Sequence, residues 1–259
     1  MNVLARIVAH KRWEVLAHQR LLSERELRER VGIVPRARDF AAALRRGAGP
    51  RIVAEFKRAS PSKGAIAPGA DVATVTSAYA DGGAVALSVL TDTRFFGGCL
   101  PDLFRATESV SLPVLRKEFI VDAYQIYEAR AWQADAVLLL CAVLDDKQLV
   151  DFCTLTRELG MTALVEAHDE AELERAARTD AAIIGVNTRD LKTLATNTNT
   201  ALAARKLIPE GRVALYESGV RTAADVRAAT AAGYDACLVG ESLMSAADPC
   251  AALRALRAP

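Results

Sequence analysis

Glu55 and Lys57 stand two positions apart at the end of the apolar run Ile52–Ala54, and Pro61 follows shortly after. On an extended strand alternate side chains share a face, so this carboxylate and ammonium project together. Pro61 lacks the N–H a ladder needs and starts a loop. An ion pair at the mouth of a sheet is costly to desolvate, so it is either a solvated strand end or a device for moving protons. The same residue types recur where later apolar runs end: Ser88 with Thr91, then Lys117, Glu166, Asn187 with Arg189, and Glu217 with Ser218. The openings of these runs, Ile52, Val85, Val114 and Ile183, are apolar. Amines, carboxylates and an amide confined to one end of successive runs point to acid–base chemistry on a common rim.

Two further signals concern what that rim would hold. Glu217-Ser218-Gly219-Val220 and Val239-Gly240-Glu241-Ser242 place a glycine just after each of the last two apolar runs. Glycine lets backbone N–H groups approach an anion, and a helix start behind it adds positive potential, so the pair predicts a phosphate subsite. Ser60 and Lys57 are expected nearby. Phe95, Phe96 and Phe119 also follow run ends, and Leu138 sits high in its run. Some of them could wall an apolar or aromatic ligand, while at least one is expected to be core.

The elements that must position these residues follow from periodicity. The strand candidates are 52–57, 85–90, 114–117, 136–140, 162–166, 183–187, 213–218 and 236–239, with helical stretches between them and a last helix over 249–256. The runs are continuously apolar, as expected of parallel strands covered on both faces. Roughly eight strands, each followed by a helix, predict a closed (β/α)8, or TIM, barrel, whose working end is the carboxyl end of its strands. An open doubly wound sheet is disfavoured because no GxGxxG follows the first strand. Residues 3–30 read as helical, with an apolar stripe through Val3, Leu4, Ile7 and Val8, and Ser23 with Glu26 suggests a capping box that restarts the helix. The expected organisation is one barrel domain over residues 1–259, with 1–50 as a helical extension laid upon it.

Composition excludes several classes. A formal net charge of +1 over 259 residues gives no footprint for nucleic acid or an anionic membrane surface. The longest apolar run, Ala136–Leu144, is too short to span a bilayer, and no secretory signal is visible. Five scattered cysteines and three unclustered histidines suggest a reducing cytoplasm and no metal site.

Seven segments in order, IVAEFKRASPSKG, SVLTDTRFFGG, VLRKEFIVDAYQIYEARAWQADAVLLL, LVEAHDEAEL, IIGVNTRDLKT, ESGVRTAADV and CLVGESLM, resemble the indole-3-glycerol phosphate synthase family. The resemblance implies a cofactor-free carboxy-lyase of tryptophan biosynthesis. Its substrate would be the small phosphorylated molecule 1-(2-carboxyphenylamino)-1-deoxyribulose 5-phosphate, which closes to an indole with loss of CO2 and water. By position, Lys117 would be the general acid of ring closure, and Glu166 an acid or base in dehydration. Lys57 and Glu55 would hold the substrate carboxylate. Asn187, Arg189 and Glu217 would position hydroxyls and the reacting nitrogen. Ser218, Gly219, Gly240 and Glu241 would line the phosphate site, with Ser60 nearby, and Phe96, Phe119 and Leu138 would hold the anthranilate ring. Ser88 is assigned to substrate binding. Burial is expected to lower the affinity of Lys117 for its proton toward neutrality. The resemblance leaves open a partnership with other tryptophan-pathway enzymes.

Glu118 and Tyr216 depart from the family pattern, where Asp and smaller residues are usual, and Ala195-Thr196-Asn197, which lie outside the residues described below, replace a stretch that usually carries an acidic residue. They keep open a divergent paralogue in a specialised pathway that accepts ring-substituted substrates. Two other readings are a phosphate-binding barrel without this activity and an aldolase using Lys117 as a Schiff-base amine, which borohydride trapping would reveal.

Overall fold

Eight short strands close into a parallel barrel in the computed structural model, which describes residues 2–45, 49–189 and 198–258. They are β1 (Ile52–Phe56), β2 (Ala86–Leu90), β3 (Val114–Lys117), β4 (Ala136–Leu140), β5 (Thr162–Ala167), β6 (Ile183–Asn187), β7 (Val213–Glu217) and β8 (Ala236–Val239). Each pairs with its sequence neighbour, and β1 closes on β8 through Val53 opposite Leu238. The predicted strands are recovered to within a residue at either end. Helices α4 (Val72–Gly82), α6 (Leu100–Ser109), α7 (Tyr124–Ala131), α8 (Asp146–Glu158), α9 (Glu170–Ala177), α10 (Thr198–Ala204), α11 (Ala223–Ala231) and α13 (Pro249–Leu256) alternate with them. Two one-turn helices, α5 (Thr93–Phe96) and α12 (Glu241–Met244), and a two-residue hairpin joining Ala59–Ser60 to Gly64–Ala65 are too short to leave a periodic signal.

Strand alternation sorts the core into two shells. Val53, Ala86, Leu115, Leu138, Leu164, Leu215 and Leu238 fill the barrel interior, while Ala54, Leu87, Val137, Val165, Ile184 and Val239 face the helices. This two-residue period decides which strand-end residues look inward: Glu55, Lys117, Glu166, Asn187 and Glu217 share the parity of the interior set. Tyr216 has the other parity. It packs outside the barrel, with its ring 5.2 Å from that of Tyr234.

The extension does more than lie on the barrel. Its first half is two helices, α1 (Val3–Leu21) and α2 (Glu24–Val31), separated where Ser23 and Glu26 form the expected capping box. Leu4 and Ile7 of α1 join the barrel-interior cluster at the rim. Phe40 and Leu44 of α3 (Phe40–Arg45) enter the same cluster, and Arg45 bonds the carbonyl of Gly211, just ahead of β7. The extension therefore runs from the carboxyl rim to the opposite end and closes both.

One charged residue of α1 is unexpectedly inside. Lys11 is 2% exposed, and its ammonium lies 2.7 Å from Glu14, 3.1 Å from Asp92 and 3.1 Å from Glu118. Burial alone would ease its proton off, but the surrounding carboxylates overcome this and raise its pKa. Asp92 and Glu118 follow β2 and β3, so this cluster ties α1 to two strands of the rim. Among the described residues, no helix is long and apolar enough to cross a membrane.

Candidate active site

The carboxyl ends of the strands surround a cavity of about 710 Å³. Lys117 stands at its centre. Its ammonium donates to Glu166 Oε2 at 2.9 Å and to Glu217 Oε2. Glu166 Oε1 accepts from Asn187 Nδ2 at 2.9 Å, and Asn187 Oδ1 accepts from Ser218 Oγ at 2.8 Å. On the first strand, Lys57 donates to Glu55 Oε1 at 2.7 Å, as the strand period predicts. The rim thus holds a hydrogen-bonded network whose members come from the ends of β3, β5, β6 and β7, and a separate ion pair at the end of β1.

Two glycines make room for it. A Cβ on Gly185 would lie 2.1 Å from Glu217 Oε1, and one on Gly240 would lie 2.4 Å from Glu55 Oε1. Gly185→Ala is therefore expected to cost about 1–3 kcal/mol of stability. Displacing Glu217 should also lower kcat by about ten-fold, since each 1.36 kcal/mol of lost transition-state stabilisation is one decade. Chemical denaturation and steady-state assays of the variant test this, and unchanged kcat would refute it.

The charges push the proton affinities of the three central groups apart. Burial would lower that of Lys117, but the carboxyl groups around it, Glu166 foremost and then Glu217 and Glu55, outweigh it, so its pKa rises. The expected drop toward neutrality does not occur, because the site surrounds the ammonium with carboxylates as it desolvates it. Burial would raise Glu166, yet Lys117 and His168 hold it well below the usual carboxylate range. Glu217 is pushed up to about 8 by burial and by its neighbour Glu166, against the opposing pull of Lys117. Its Oε1 is buried with no hydrogen-bond partner, which suits a carboxyl group that carries a proton. At neutral pH the site holds a cation, a carboxylate and a neutral acid side by side.

Away from this centre the cavity has two unlike ends. One is apolar: Phe96, Phe119, Leu138 and Leu140 line it, joined by Val3, Leu4 and Ile7 of α1. The Phe96 and Phe119 rings are 5.9 Å apart. The other is polar, lined by Ser60, Ser62, Arg189, Ser218, Gly219, Gly240, Glu241 and Ser242. Ser218 and Gly219 are both left-handed, at φ 68° and 79°, which turns the chain sharply after β7. Arg189 bonds Ser62 Oγ at 2.9 Å and approaches Glu241 at 3.6 Å, linking three loops.

All but one of the predicted site residues line the cavity. Ser88 does not; it is fully buried, paired with Glu55 and Leu115 in register, and its hydroxyl has no partner. It has interior parity but sits a layer too deep, and Leu90, two residues on, takes the wall. Several wall residues lie outside the predicted set, among them Val3, Leu4, Ile7, Leu140 and Glu118. Val3, Leu4 and Ile7 were legible only as a helical stripe, and Glu118 only as a neighbour of Lys117. His168, behind Glu166, carries no functional signal in the sequence, since it has no metal-ligand spacing.

The comparisons with known proteins bear on the family and the fold. The family model for indole-3-glycerol phosphate synthase matches residues 4–256. The chain is 49% identical over 262 residues to an indole-3-glycerol phosphate synthase of Micrococcus luteus, covering 100% of this chain and 98% of the relative. It is 47% identical to one of Streptomyces griseus subsp. griseus, covering 98% of this chain and 94% of the relative. Among solved structures, a thiamine phosphate pyrophosphorylase from Pyrococcus furiosus superposes with a TM-score of 0.57 at 16% identity, over 80% of this chain and 93% of that one, which speaks to the fold alone.

Proposed function

The chain belongs to the indole-3-glycerol phosphate synthase family, and on that premise we propose that it converts 1-(2-carboxyphenylamino)-1-deoxyribulose 5-phosphate to indole-3-glycerol phosphate, CO2 and water in tryptophan biosynthesis. The observation that carries the reading is the placement of Lys117, Glu166 and Glu217 between an apolar and a polar end of one cavity. An aromatic ring and a phosphate at opposite ends of one substrate fit those two ends, with the reacting carbons between them.

The roles follow from charge. Ring closure turns the substrate ketone into an alkoxide, and the Lys117 ammonium supplies both the stabilising charge and the proton. Loss of CO2 restores the aromatic ring. Dehydration then needs a proton delivered to the departing hydroxyl and another removed from the carbon beside nitrogen. Glu217, neutral at pH 7, suits the first task, and ionised Glu166 the second. Lys57, paired with Glu55, faces the substrate carboxylate; Asn187 and Arg189 orient the hydroxyls. Ser60, Ser218, Gly219, Gly240 and Glu241 line the phosphate end, where backbone N–H groups rather than the Glu241 side chain suit the anion. Phe96, Phe119 and Leu138 hold the ring. The five cysteines are unpaired, which fits work in a reducing compartment such as the cytoplasm.

A Schiff-base aldolase needs a neutral amine, whereas Lys117 is held protonated between two carboxylates. Nor does Tyr216 support altered ring specificity, since it faces away from the cavity.

Incubation with the carboxyphenylamino substrate while following indole fluorescence tests the reading; no signal from folded protein refutes it. The pH profile adds a check on Glu217. Its raised pKa keeps the acid form below about 8, so kcat should fall as pH rises through about 8. Glu217→Gln should remove that limb along with most of the rate, and a profile that stays flat past pH 9 in the native enzyme would remove Glu217 from the acid role.

A further inference from the structure

A histidine that does not line the cavity touches its most important carboxylate from behind. His168 follows β5, and its Nε2 lies 3.3 Å from Glu166 Oε1, an ion-pair contact outside hydrogen-bond geometry in which this buried nitrogen has no other partner. On its other side, Nδ1 lies 3.1 Å from Glu172 Oε2, on α9, and the same oxygen accepts from the His168 backbone N–H at 2.9 Å. The side chains become more exposed along this line: Glu166 is 2% exposed, His168 12% and Glu172 17%. Inward, Glu166 Oε2 accepts from Lys117, which also donates to Glu217. A continuous chain of polar contacts therefore runs from the outer edge of the barrel, between β5 and α9, to the reacting centre.

The reaction gives such a chain something to do. The substrate carboxylate leaves as neutral CO2, so its negative charge must depart as hydroxide and be neutralised to water. In the roles above, Lys117 and Glu217 each give one proton and Glu166 takes back one. One proton per turnover must enter from solvent, yet the Glu166 side chain is only 2% exposed.

We propose that Glu172, His168 and Glu166 form the proton inlet of the site, with His168 a positioning and relay residue rather than one that touches substrate. The inference rests on the proposed lyase reaction. After catalysis Glu166 returns to Lys117 the proton it took, which leaves Glu217 one proton short. The imidazolium Nε2–H bond then breaks, an O–H bond forms on Glu166 Oε1, and Lys117 passes a proton to Glu217 and is refilled from Glu166, leaving a neutral ring with Nδ1–H on Glu172. Rotation about Cβ–Cγ turns the bare nitrogen outward, where a solvent or buffer acid restores the imidazolium. Two carboxylates and no cation face the ring directly; Lys117 and Glu217 lie beyond Glu166, and Arg175 and Cys141 lie beyond Glu172. Burial opposes the charge, but these two carboxylates prevail and raise the pKa of His168 to about 10, so the proton is present at neutral pH.

The test uses full-length enzyme and the carboxyphenylamino substrate, with indole fluorescence and proton uptake by an indicator dye followed in single turnovers. His168→Gln keeps a hydrogen-bonding side chain but cannot carry the proton. It should lower the rates of both signals by about ten-fold with KM changed less than two-fold. His168→Ala should be slower still and accelerate with added imidazole, which a purely structural defect would not do. Glu172→Gln, which keeps the backbone contact, should slow proton uptake at low buffer concentration and recover at high. Circular dichroism confirms folding, and the Gln variants carry the test if His168→Ala does not fold. Wild-type rates in His168→Gln, or an Ala variant indifferent to imidazole, overturn the inlet while leaving the lyase reading intact. An inactive native enzyme overturns both.

Discussion

Lys117→Ala should abolish indole formation, lowering kcat/KM by about 10³-fold. The ammonium does two things that alanine cannot: it offers a proton to the ketone oxygen, and it fixes two carboxylates 49 and 100 residues away in sequence. Without it, Glu166 and Glu217 face each other with no cation between them. Glu217 already carries a proton, so the loss falls on Glu166: its largest opposite charge is gone, its pKa rises, and only His168 and Asn187 still favour its ionised form. The base of the dehydration step is weakened along with the loss of the acid of ring closure. The fold should survive, because both carboxylates can become neutral and the barrel interior below them is apolar. Fluorescence assays at saturating substrate, with thermal melts as control, measure this. Residual activity above a tenth of the native rate would mean that Lys117 is neither acid nor electrostatic anchor.

For Lys11→Met the expected result is a loss of about 3–5 kcal/mol in unfolding free energy. Here neutralisation is no easy escape. Asp92 is 0% exposed and Glu118 1%, and the Asp92 Oδ2 facing Lys11 has no hydrogen bond to replace it. Glu118 keeps Thr91 Oγ1 at 2.9 Å and Arg116 at 3.9 Å on Oε2, and the Phe119 N–H at 2.8 Å on Oε1, but Oε1 loses its cation. Removing one partner of a buried charged set leaves the others desolvated and uncompensated, which costs more than the set contributed when whole. Because Lys11 fastens α1, the helix that brings Leu4 and Ile7 to the cavity, KM should rise as well. Urea unfolding monitored by circular dichroism gives the first number and steady-state kinetics the second. A variant within 1 kcal/mol of the native protein would show that α1 is held by its apolar stripe alone.

Why so much of the site was legible follows from particular residues. Glu55, Lys117, Glu166, Asn187 and Glu217 each end an apolar run, and parallel strands must deliver such residues to one rim whatever the loops do. Ser88 shows the limit of that logic: parity was right and depth was wrong, because the stagger of neighbouring strands sets depth and leaves no trace in one strand. Lys11 shows another, since a single lysine on an amphipathic helix looks like any solvated one until Asp92 and Glu118 arrive from two other elements.

The order of apolar runs and their polar ends settled the barrel, its working face and the residue types on it, because strand period and burial are local properties of the chain. Only the folded arrangement decided how tightly each proton is held. That depends on charges brought together across the barrel, where desolvation and Coulomb attraction oppose each other and distance picks the winner. The same lysine whose proton burial alone would have loosened holds it more tightly among the surrounding carboxyl groups, and Glu217, crowded by burial and by Glu166, stays protonated at neutral pH.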